Sequence, residues 1–234
     1  MSAFLFGMGA VLGLAIVVGI VLFVRWVQAQ PADAAGLFPG WFAVVDVETT
    51  ALDPERGALL SIGAVVPATG DRYYGECFVR AGALVEPEAL AVNGATSERL
   101  VDMSLRSEAA LVSDFAYWMR KRGIRLIGGK NPSFDQGHLK AAWARANMPG
   151  RYPLTHRTVD LHSLAWAWAL RNRPEVLNAD GIKSDELYVM MGMEPEPKPH
   201  NALVGALVEL DAFRFLIYGR TAADEIIPRG KEGV

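Results

Sequence analysis

Val44-Val45-Asp46-Val47-Glu48-Thr49-Thr50 is the stretch on which the reading of this chain turns. The apolar run leading into it from Trp41 is rich in β-branched and aromatic residues, the composition of a buried strand. Asp46 and Glu48 stand two residues apart, so a strand directs both side chains to one face. Two carboxylates at the end of a buried strand repel each other and lose hydration. Their hard oxygens suit a divalent cation, Mg²⁺ or Mn²⁺. An ordinary strand edge with solvated acids is the competing interpretation, and the choice between them turns on two further segments.

The first is Asn131-Pro132-Ser133-Phe134-Asp135, which follows a short predicted strand at 124–127 and a Gly128-Gly129 pair suited to a sharp turn. Asp135 falls at the start of a predicted helix at 136–147, where the helix dipole tolerates a carboxylate. An acid that merely stabilises this helix would occupy the same place. The second is His200-Asn201-Ala202-Leu203-Val204-Gly205, which opens a last helix at 201–218 after the run Glu194-Pro195-Glu196-Pro197-Lys198-Pro199. A lone histidine is more often a structural hydrogen-bonding group. Near clustered carboxylates, its pKa close to neutrality fits a general base.

Around these segments the pattern predicts a strand at 41–48, a turn at 53–57, a strand at 59–66, turn chemistry at 67–71 and a strand at 72–79. The short connections make these three an antiparallel meander. Helical spacing predicts helices at 105–122, 160–171 and 184–191, the last with Ser184 as N-cap and Gly192 past its end. Leu203, Leu207, Leu210 and Ile217 form the apolar stripe of the final helix, which stops at Gly219. Three antiparallel strands followed by helix–strand–helix units give an α/β fold, a mixed sheet flanked by helices.

The 234 residues suit one globular domain plus extras. The net charge of −3 gives no global basic field for nucleic acid, and the single cysteine, Cys77, forbids an internal disulfide. Residues 4–24 carry no charge. At about 1.5 Å per residue, a helix of that length crosses the ~30 Å hydrocarbon core. Arg25 and Trp26 follow as an interfacial pair, so a retained transmembrane anchor at 4–27 is expected rather than a cleaved signal peptide. The position of Arg25 places the following domain in the cytoplasm. A Pro/Gly-rich linker follows at 28–40, the folded domain at 41–219 and a loose tail at 220–234.

Taken in order, Asp46-x-Glu48, Asn131-x-x-x-Asp135 and His200-x-Ala202 resemble the DEDDh-type 3′→5′ exonuclease family, whose fold is ribonuclease H-like. The segment from Glu88 to Gly94 is similar to the family's loop after its first motif. The resemblance implies hydrolysis of phosphodiester bonds at the single-stranded 3′ ends of DNA or RNA. It implies two ions held by Asp46, Glu48 and Asp135, with His200 taking the proton of the attacking water. Thr49 and Leu52 fall where similar proteins contact the terminal nucleotide, and Asn131 is a further candidate for substrate binding.

The family pattern places a fourth acid five residues after the histidine, and that position is Gly205. Glycine inside a helix costs about 1 kcal/mol relative to alanine, and no turn is needed there. One missing carboxylate weakens the hold on one ion and points to a weakened or inactive enzyme, or to a nuclease-derived module that binds nucleic acid or protein without cutting. Glu209, one helical turn further on, is a candidate substitute. Between Phe115 and Thr158 nine Lys and Arg residues face one acid, Asp135, a concentration that suits either phosphate binding or a solvated face. Trp143, Trp166 and Trp168 could stack on bases, but their helical spacing points to the core.

Overall fold

The central strand β1 (Phe42–Thr49) lies between an antiparallel neighbour, β2 (Leu59–Val65), and a parallel one, β4 (Leu126–Gly129). The computed structural model describes residues 38–178 and 181–219. β3 (Arg72–Glu76) pairs antiparallel with β2, and β5 (Thr158–Asp160) pairs parallel with β4, giving the order β3-β2-β1-β4-β5. The expected meander and mixed sheet are present. The anchor expected at 4–27, the linker up to residue 37 and the tail from 220 lie outside the described residues. Among the described residues, no helix is long and apolar enough to cross a membrane.

Helix α1 (Pro87–Asn93), over the segment likened to a loop, and α2 (Ser97–Leu100), in a stretch with no predicted element, follow β3. α3 (Glu108–Arg122) and α4 (Pro132–Arg145) pack together on one face of the sheet. Val45 and Val47 point into that face, in one apolar cluster with Leu111, Phe115, Trp118, Leu139 and Trp143. α5 (Leu161–Asn172), a 3₁₀ turn (Pro174–Val176) and α6 (Ser184–Met190) lead to α7 (Ala202–Tyr218), which lies across β1 and β2 on the opposite face. Alternation along β1 thus sends Val45 and Val47 into the apolar layer and Asp46 towards α7.

The differences from the sequence reading have local causes. The predicted strand at 124–127 begins two residues later, because Gly123 takes a left-handed conformation (φ 68°) and Ile124 donates its N–H to Met119 O, closing α3. Gly128 and Gly129 therefore lie inside β4 and make no turn. A Cβ on Gly128 would stand 2.6 Å from the Phe42 ring and 3.1 Å from that of Phe213. The chain reverses instead at Asn131 (φ 55°), and α4 starts at Pro132, four residues before the predicted start. The third strand stops at Glu76, and Cys77, free and buried, continues only as an isolated bridge to Arg106. Lys183, and not Ser184, is the N-cap of α6. Trp143 is buried as expected and Trp168 packs edge-on against Phe215, but Trp166 and Ile217 are exposed.

α7 approaches the sheet closely at one point. Gly63 of β2 is the register partner of Asp46, and a Cβ on it would lie 2.1 Å from the carbonyl carbon and oxygen of Ala202. Backbone cannot yield as a side-chain tip can, so Gly63→Ala must push the start of α7 off the sheet. Overpacking of this kind costs about 1–3 kcal/mol or more. Thermal denaturation of Gly63→Ala is expected to show that loss, with a matching loss of divalent-cation binding; an unchanged Tm would refute the close approach.

Candidate active site

The site forms where the C-terminal half of β1 meets the starts of α4 and α7. Asp46 and Glu48 leave β1 on one face, as the two-residue spacing predicts. Asp135, only 4% exposed, lies in the first turn of α4, and its Oδ1 accepts the Val47 N–H at 3.0 Å. That bond draws an acid from the opposite layer to the end of β1. His200 stands just before α7, whose N-cap Asn201 accepts the N–H groups of Leu203 and Val204 through its side chain. The His200 N–H is held by Val92 O at 3.2 Å, and the neighbouring Pro199 lies against Gly94. The segment Glu88 to Gly94 therefore forms the wall beside the histidine.

Two further carboxylates enter the same space. Glu196, 9% exposed, places Oε2 3.6 Å from His200 Nδ1 and leaves Oε1 without a hydrogen-bond partner. Glu209, 6% exposed, accepts the Lys130 N–H through Oε1 at 3.0 Å and leaves Oε2 unpartnered. Glu48, Glu196 and His200 each bring one ligand atom within 4.8 Å of the others. Glu209 was legible as a neighbour of position 205 on its helix. Glu196 was missed, although its place four residues before His200 was a usable signal.

Position 205 faces these acids. A Cβ on Gly205 would lie 2.2 Å from Asp46 Oδ2 and 3.3 Å from Glu196 Oε1. The glycine that the helix did not explain thus has a steric reason: Asp46 occupies the space.

The electrostatics follow from crowding. Burial pushes the Asp46 carboxyl well above the usual carboxylate range, helped by the charges of Glu209, Asp135, Glu48 and Glu196. Burial likewise raises Glu48 to about 7 and Asp135 to about 7, the latter despite its backbone donors. It raises Glu196 to about 8, with Glu48 adding to the effect, and Glu209 well above its ordinary value, with Asp135 adding. His200 is shifted the other way, its pKa lowered by burial, so the imidazole is neutral at neutral pH. Glu196 Oε1 and Glu209 Oε2, buried without partners among mutually repelling carboxylates, are hard oxygen donors that fit a divalent cation.

The expected substrate contacts are placed differently. Thr49 is buried and donates its hydroxyl to Ala51 O, whereas Leu52 is 75% exposed with its N–H held by Glu86. Asn131 is exposed, and its Oδ1 accepts the Ser133 hydroxyl. Several of the nine cations are committed elsewhere. Arg145 pairs with the buried Glu108 at 2.8 Å, Arg122 pairs with Asp71 at 3.0 Å, and Arg120 lies over the Trp143 ring. Arg125, Lys140, Arg151 and Arg157 line a cavity of about 980 Å³ next to Trp41, at the start of β1 and away from the acids.

A five-stranded mixed sheet flanked by helices, with carboxylates gathered at the end of its central strand, defines a ribonuclease H-like nuclease fold. The exonuclease family model matches residues 43–212, and the chain belongs to that family, in its DEDDh-type 3′→5′ branch. Ribonuclease T of Salmonella choleraesuis (strain SC-B67) is 31% identical over 139 residues, 52% of this chain and 63% of that protein. Structures of E. coli Exonuclease I share the fold at low identity. The complex with a dA16 oligonucleotide has a TM-score of 0.58 at 20% identity and covers 76% of this chain and 41% of that one. The zinc-bound complex with single-stranded DNA has a TM-score of 0.58 at 18% identity, over 79% and 42%. The chain spans less than two thirds of the length of each of these proteins.

Each raised carboxyl keeps its proton to higher pH in the folded chain than in the unfolded one. The native state therefore binds more protons than the unfolded state between the unfolded and folded pKa values, and stability falls as pH rises across that window. For Glu48 and Glu196 the window opens at 4.5 and closes at about 7 and about 8. The Tm of the metal-free chain in chelator is expected to fall from about pH 5 to about pH 8, and added Mn²⁺ to restore it at the upper end. A Tm that stays flat or rises across this range would show that the acids are not crowded in the folded state.

Proposed function

We propose that this protein is a metal-dependent 3′→5′ exonuclease that hydrolyses phosphodiester bonds at the single-stranded 3′ ends of DNA or RNA. The observation that carries the reading is the convergence of Asp46, Glu48 and Asp135, from two layers of the fold, beside His200. Asp46, Glu48 and Asp135 would hold Mg²⁺ or Mn²⁺. Two such ions, when bound, supply an activated water and stabilise the departing oxygen. His200 accepts the proton of the attacking water, for which a neutral imidazole is the required form. Leu52, exposed after the end of β1, would offer an apolar surface to the terminal base, and Asn131 an amide to the strand. Ribonuclease T homology and the single-stranded DNA in the Exonuclease I complexes support this substrate class. The apolar run at 4–24 followed by Arg25 supports a membrane tether with the domain on the cytoplasmic side.

Gly205 favours a second reading, in which the domain binds nucleic acid or a protein partner without cutting. One assay separates the two. Single strands labelled at either end are incubated with the full chain and Mg²⁺ or Mn²⁺. The enzyme reading expects mononucleotide release from the 3′ end, none by Asp46→Asn, and a rate lower by about 10²–10⁴-fold in His200→Ala. No release by the wild type with either ion, while the chain still retards a labelled single strand in a mobility-shift assay, would establish the binding module.

A further inference from the structure

We propose that Glu196 supplies the carboxylate missing at position 205, so that the metal centre is built from Asp46, Glu48, Asp135 and Glu196 around His200. The inference rests on the exonuclease reading and adds a ligand to it. Its first support is position: Glu196 Oε1 lies 3.3 Å from where a Cβ on residue 205 would stand. The carboxylate reaches that space from the segment between α6 and α7 and not from the helix.

The second support is the state of the side chain. Glu196 is more than nine-tenths buried, and its Oε1 has no hydrogen-bond partner although it faces Asp46 and position 205. An ionised oxygen desolvated in this way is strongly unfavourable unless a cation lies against it. One atom of Glu196 also lies within 4.8 Å of ligand atoms of both Glu48 and His200. Glu196 is flanked by Pro195 and Pro197, whose rings fix φ and limit the freedom of the segment.

Glu209 is the rival, because it too is buried with one free oxygen. Its other oxygen holds the Lys130 N–H at the end of β4, and a Cβ on Gly129 would meet Oε2 at 3.0 Å. That places Glu209 as a clamp on the turn into α4. A different role for Glu196 is to orient His200 through the 3.6 Å contact with Nδ1. Glutamine distinguishes the roles, since its amide oxygen still accepts from Nδ1 but brings no charge to a cation.

The test measures Mn²⁺ binding to the full chain by titration calorimetry and by the free-ion electron paramagnetic resonance signal, in the wild type and in Glu196→Gln. Two ions are expected on the wild type. In Glu196→Gln one of them should be lost or weakened by at least tenfold, while the other stays. Glu196→Gln with both ions at wild-type affinity overturns the inference and leaves the exonuclease reading standing. A wild type that binds no Mn²⁺ overturns both. Anomalous diffraction from Mn²⁺ in wild-type crystals tests the same point without a variant. An ion within about 2.5 Å of a Glu196 oxygen supports the assignment, and two ions that both lie beyond Glu196 refute it.

Discussion

Repulsion among carboxylates is the constraint on which the rest of this structure depends. Asp46, Glu48, Asp135, Glu196 and Glu209 converge from β1, α4, α7 and the segment before α7, and burial raises the pKa of every one. Of these acids, Glu196 lies beside a basic group, His200, at 3.6 Å. A fold that gathers like charge in this way carries a standing penalty, which the apolar layer on the other side of the sheet must offset. Val45 and Val47, which alternate along β1 with the acids, provide that layer together with Phe115, Trp118 and Leu139 of the helices packed on it.

The geometry of the cluster is set by close backbone approach. Gly63 admits the first residue of α7 to the surface of the sheet, and Gly205, one turn further on, leaves room for Asp46. A glycine at 205 and an acid at 196 form a compensating pair, because one vacates the volume beside Asp46 and the other borders it. In the proposed metal centre a carboxylate from the segment before α7 stands in for the acid that the family pattern places at 205.

Much of this was legible beforehand, and the misses have physical reasons. Asp46 and Glu48 were readable because period-two alternation puts them on one face of a strand, and Asp135 and His200 were joined to them by the resemblance of the ordered motifs. The antiparallel order of the first three strands followed from short connections. Gly128-Gly129 misled because glycine marks both a turn and a strand that something packs against closely, and only the positions of the Phe42 and Phe213 rings distinguish the two. β5 spans three residues, too few for any periodicity to register. Glu196 escaped because nothing in a proline-rich run reveals that the run folds inward. The positive charge around α4 divided once Arg145, Arg122 and Arg120 were found engaged in structural contacts.

The bond from the His200 N–H to Val92 O and the seating of Pro199 against Gly94 join two segments far apart in sequence. Asn93 adds a bond from its side chain to Thr49 O, at the end of β1. The His200 backbone, the wall beside it and the end of β1 are therefore fastened to one short helix. Displacement of that helix would carry the imidazole with it, so the position of His200 and the width of the cavity lined by Glu48, Asn93 and Gly94 are set together.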